Sequence, residues 1–138
     1  MITIAQYVGI HSASPDWTPV RQANAVILID KLNALLDELA ITHGYSVAIN
    51  PRTNSIVSGE TFGGFRPQSC PIGASNSAHK TGQAVDIFDP NETLDTILTK
   101  YPEYLLKYDL YRESPGSTLS WCHLQTRKTL SGKRTFLP

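Results

Sequence analysis

The sequence predicts an α+β fold, a small and mostly antiparallel sheet packed by a long N-terminal helix and shorter helices, from three observations. The first is an apolar stripe: Ala25, Leu28, Leu32, Leu35 and Leu39 recur at intervals of 3, 4, 3 and 4, the spacing of one helix face, and Ile29 and Leu36 widen it. The second is the alternating run Ala84-Val85-Asp86-Ile87-Phe88, which reads as a strand. The third is a hairpin signal, two strand-like runs at 109–113 and 119–126 separated by a turn with Pro115 and Gly116.

Along the chain, Thr18-Pro19 starts the long helix, with a capping hydroxyl and a proline at the first helical position. Thr42-His43-Gly44 ends it, because glycine accepts the left-handed conformation that closes a helix. His43 there is expected at the surface, and His11 in a loop without a partner. Residues 45–49 and 55–58 are expected as short strands around an Asn50-Pro51 turn. Asn91-Glu92-Thr93 opens a second helix to about Lys100, and Pro102 a third to about Tyr108. Residues 131–136 are expected to turn into an edge strand. A length of 138 residues suits one domain across 1–138 with a single core.

The chemistry concentrates in His79-Lys80-Thr81-Gly82-Gln83-Ala84-Val85-Asp86, answered downstream by Trp121-Cys122-His123. Two imidazoles and one carboxylate make a three-ligand set of the kind catalytic zinc uses, leaving a fourth position open. Pairing of the two strands would bring His123 to Asp86. Trp121, His123 and Gln125 share one face of their strand, and alternation turns Cys122 away toward the core. Gln125 and Ser77 are candidates to orient the ligands. Cys70 and Cys122 do not form a disulfide framework, and Cys70 reads as a free thiol in a loop.

These residues carry a resemblance. Ser77-Ala78-His79-Lys80-Thr81-Gly82-Gln83-Ala84-Val85-Asp86 resembles the S-x-H-x-x-G-x-A-x-D segment of M15-type zinc DD- and LD-peptidases, and Trp121-Cys122-His123 resembles their W-x-H closing segment. Val57-Ser58-Gly59 with Gly63-Gly64-Phe65-Arg66-Pro67 resembles their S-G-[YFW]-R segment, split by a few inserted residues. The resemblance implies Zn2+ held by His79, Asp86 and His123, a substrate carboxylate held by Arg66, and a hedgehog/DD-peptidase-like sheet. Arg52 is a lesser candidate for the carboxylate.

The chain departs from the family at one point. Many members carry an acid two or three positions before the last histidine, where it polarises the attacking water; here Ser120 and Trp121 stand there. The nearest acid is Glu113, which the hairpin could place opposite His123, a layout similar to that of small phage-type members. Glu113 is therefore the expected general base and acid, with Asp109 the runner-up and Asp89 a turn residue before Pro90.

The implied activity is hydrolysis of peptide bonds in peptidoglycan stem peptides by a phage or prophage endolysin, as an L-alanyl-D-glutamate endopeptidase. A D-Ala-D-Ala carboxypeptidase, a noncatalytic module binding cell-wall peptides and a virion-associated wall-opening enzyme are the alternatives. Formal net charge is zero, with 17% charged residues and no Lys/Arg run, which gives no reason to expect nucleic acid as a partner. No secretory signal and no membrane-spanning stretch is visible, so a monomer made in the host cytoplasm and acting on the wall after release is expected. No G-x-S-x-G elbow, phosphate loop or dinucleotide fingerprint competes with the metal reading.

Overall fold

The computed structural model describes residues 1–138 as an α+β fold. Helix α2, Pro19–His43, is its longest element. Thr18 accepts a hydrogen bond from the Arg21 amide at its start, and Gly44 closes it at φ 62°. All seven stripe residues from Ala25 to Leu39 are buried, as their spacing predicts. They pack with Val85, Ile87, Cys122 and Leu124 in one apolar core. Ahead of α2 stands a short helix, α1 (Ile4–Val8), begun by a capping box in which Thr3 and Gln6 satisfy each other's backbone amides.

The sheet has four strands: β1 (Ala84–Phe88), β2 (Tyr111–Glu113), β3 (Trp121–Gln125) and β4 (Thr135–Phe136). Their order is β1-β3-β2-β4, antiparallel except for the β2–β4 pair. Helices α3 (Thr93–Lys100) and α4 (Glu103–Lys107) connect β1 to β2. Asp89 is more than a turn residue: its carboxylate accepts the Leu94 and Asp95 amides and so caps α3. No helix is long and apolar enough to cross a membrane.

The expected strands at 45–49 and 55–58 do not form; only single bridges occur, Asn50 to Ser55 and Val57 to Ile87. Side chains take the backbone groups that a ladder would use. Asn50 donates to the Val57 and Gly59 carbonyls, and Thr53 donates to Val57 as well. This segment nonetheless lies along β1, with the Ser58 amide on the Asp86 carbonyl and the Asp86 amide on the Gly63 carbonyl. His43 is partly covered rather than free at the surface, packed at a tilt against Tyr101 and bonded to the Tyr104 hydroxyl. His11 has a partner as well, the Thr61 carbonyl at 2.8 Å.

The core on the helix side of the sheet holds the strands in register, so truncating its middle is costly. Leu32→Ala, at a fully buried position, is expected to lower unfolding free energy by about 2–5 kcal/mol, measured by denaturant titration.

Candidate metal centre

Strand register builds the site. Asp86 pairs with His123 across β1 and β3. The β2–β3 register, Tyr111 with Gln125 and Arg112 with Leu124, carries on to set Glu113 beside His123, and Glu113 pairs with Phe136 of β4. Opposed residues share a face. Asp86, His123, Glu113 and Phe136 thus form one row across the four strands, on the face away from α2.

His79 reaches the row from the 3-10 segment Ala78–Thr81. The Ser77 hydroxyl accepts the His79 amide at its start, and Gly82 ends it at φ 76°. A Cβ at Gly82 would stand 2.4 Å from the Arg21 carbonyl oxygen of α2, so a side chain has neither the conformation nor the room.

The three side chains converge. His79 Nε2 lies 3.3 Å from His123 Nδ1 and 3.3 Å from Asp86 Oδ1, and His123 Nδ1 lies 2.9 Å from Asp86 Oδ1. Around a tetrahedral ion with bonds of about 2.0–2.1 Å, simple geometry sets ligand atoms about 3.3–3.4 Å apart. Two edges of the triangle match, and the third is a little short. All three residues are buried, and together they could hold a metal ion.

Hydrogen bonds beyond the triangle fix which nitrogen faces inward. His79 Nδ1 donates to the Gly64 carbonyl at 2.8 Å, which leaves Nε2 as the lone-pair atom. Gln125 Nε2 donates to the Arg127 carbonyl, so its Oε1 is turned to accept from His123 Nε2 at 3.0 Å. That leaves His123 Nδ1 facing Asp86. Two imidazole lone pairs and a carboxylate oxygen therefore point at one another, and a proton or a cation must lie among them.

Electrostatics agree. Burial opposes ionisation of Asp86, but the two imidazoles outweigh it and hold its carboxyl well below the usual range. Burial pushes His79 down, toward the neutral form that ligates. Burial also opposes the charge on His123, yet the hydrogen bond and charge of Asp86 raise it above its ordinary value.

The structure brings the other two expected residues to this cavity of about 440 Å³. Glu113 Oε2 stands 4.0 Å from His123 Nδ1, and burial raises its pKa above the ordinary glutamate value. Arg66 Nη2 donates to Asp86 Oδ2 at 3.1 Å, while its Nε and Nη1 donate to the Phe62 and Ile72 carbonyls. Gly59 and Gly63 bring the two halves of the split segment together: a Cβ at Gly63 would stand 2.0 Å from the Ser58 carbonyl oxygen.

Other candidates lie elsewhere. Asp109 pairs with Lys31 and Arg134 on the surface, and Arg52 pairs with Glu60. Cys122 is fully buried in the core, and Cys70 is a free thiol near the Ile72 carbonyl. Two contributors were not foreseen. Gly64 acts through its backbone carbonyl, which no side-chain pattern reveals. Arg127 continues the period-two series His123, Gln125, Arg127, so alternation alone could have found it.

Removing the His123 orienter should weaken the site without emptying it. Gln125→Leu is expected to lower metal affinity about 10- to 100-fold, read by calorimetric titration of metal-free protein. In the unsubstituted protein a proton on His123 competes with the ion. Affinity should therefore be full above the raised pKa of His123 and fall below it, by about tenfold per pH unit, one proton being released per ion bound. A flat pH dependence would mean that His123 is not a ligand. No protein-family model matches the chain, and no curated protein or solved structure matches it.

Proposed function

We propose that the chain is a zinc peptidase of the M15 type that hydrolyses peptide bonds in peptidoglycan stem peptides, as an L-alanyl-D-glutamate endopeptidase of phage or prophage lysis. The observation that carries the reading is the half-buried Glu113 set 4.0 Å from a histidine of the His79–Asp86–His123 triangle, inside one cavity. A structural metal site has no need of a half-buried acid beside it; a hydrolytic one does.

Two imidazoles and one carboxylate favour zinc over magnesium or calcium, which prefer all-oxygen sets. His79, Asp86 and His123 would hold the ion, and what it supplies when bound is Lewis acidity toward a carbonyl oxygen and toward water. Glu113 takes a proton from the attacking water and returns it to the leaving amine, a role suited to a carboxyl whose pKa burial moves toward neutrality. Arg66 steadies Asp86, and the two N–H donors left by its bonds to Phe62, Ile72 and Asp86 serve a substrate carboxylate.

An endopeptidase needs room for chain on both sides of the cut bond. A second cavity of about 410 Å³, walled by Phe62, Ile72 and Trp121, adjoins the metal cavity and shares Arg66, Asp86 and Trp121 with it. That continuity favours cleavage within a peptide over removal of a terminal D-alanine.

Glu113→Gln separates catalysis from binding. It is expected to leave zinc content unchanged while lowering kcat on stem peptides about 10²- to 10⁴-fold, read by steady-state kinetics with metal analysis. Unchanged kcat would remove Glu113 from the mechanism. An inert wild type that still binds zinc and stem peptide would favour the noncatalytic module.

A further inference from the structure

The chain has six arginines, and five of them pair with a carboxylate. Arg21 pairs with Asp16, Arg52 with Glu60, Arg66 with Asp86, Arg112 with Asp95, and Arg134 with Asp109. Arg127 alone makes no ion pair, and it is the one that lines the metal cavity beside Arg66.

Its placement is fixed at both ends. The Arg127 carbonyl accepts from Gln125 Nε2, the same amide whose oxygen orients His123. The guanidinium reaches across the cavity to the loop ahead of His79, where Nη2 donates to the Asn76 carbonyl at 2.7 Å. The remaining N–H donors have no protein acceptor. Partial burial already lowers the pKa of the group, the mark of a cation without a counter-charge. Arg66 is differently placed, because its three bonds to Phe62, Ile72 and Asp86 tie it to the protein.

We propose that Arg127 is a specificity-determining residue that grips a carboxylate of the peptide substrate within the metal cavity, at a point separate from Arg66. The planar guanidinium fork matches a carboxylate in bidentate fashion, and a fork held in place loses little freedom on binding. A peptide carrying a carboxylate beside the cut bond would be recognised by this contact, and its carboxamide analogue would not. The proposal rests on the stem-peptide reading of the cleft and adds a residue to it.

The test reads binding rather than turnover. L-alanyl-D-glutamate and its diamide are titrated by NMR into zinc-loaded Glu113→Gln protein, alone and combined with Arg127→Gln or Arg127→Lys. Arg127→Gln is expected to weaken the free acid about 10- to 100-fold and to leave the diamide and the zinc content unchanged. Arg127→Lys should recover part of the loss, since it keeps the charge without the fork. Equal weakening of acid and diamide would make Arg127 a brace for the Asn76 loop and overturn the proposal. An unchanged affinity for the acid would also overturn it. If neither ligand binds protein that retains Arg127, the stem-peptide reading falls and this proposal with it.

Discussion

Everything in the site depends on the register of β3 against its two neighbours. One row of that register holds Asp86, His123, Glu113 and Phe136. Because side chains alternate, a slip of one residue would send His123 into the core and bring Cys122 to the cavity. The core prevents the slip. Val85, Ile87, Cys122 and Leu124 lie on the α2 side, fully buried among the helix stripe. The apolar face of the sheet thus fixes the chemistry of the polar face, and Leu32 or Leu35 serves the site without touching it.

The polar face carries an electrostatic load that the surrounding backbone makes bearable. Three acceptors crowded into a buried triangle repel one another unless a positive charge lies among them. The Gly64 carbonyl and the Gln125 amide hold the imidazoles in the orientation that creates this crowding. Arg66 takes the outer oxygen of Asp86 and leaves the inner one to the triangle. A buried Arg112–Asp95 pair on the other face ties β2 to α3, and Arg112 also reaches Thr135 of β4, which steadies the strand that carries Phe136.

The sequence made some of this legible and hid the rest for definite reasons. Helix α2 could be read to within a residue at each end, because its stripe, its Thr18-Pro19 start and its Gly44 stop all agree. The same holds for β1 and for the pairing of Asp86 with His123, where alternation and ligand spacing coincide. Residues 45–58 misled because Asn50 and Thr53 satisfy carbonyls locally, a choice that strand propensity does not register. The capping box at Thr3 and Gln6 was present in the sequence as T-x-x-Q and would have announced α1. Distances between the two arginines' partners, by contrast, exist only in three dimensions: nothing in the order of residues says that Arg66 meets Asp86 and Arg127 meets no acid.

Peptide hydrolysis is the proposed role of the triangle of His79, Asp86 and His123. The most direct measurement is mass spectrometry of purified stem peptides after incubation with zinc-loaded protein, with and without a chelator. Chelator-sensitive release of a fragment beginning at D-glutamate is the expected result. Intact peptides in both samples, with zinc bound and the protein folded, would contradict it.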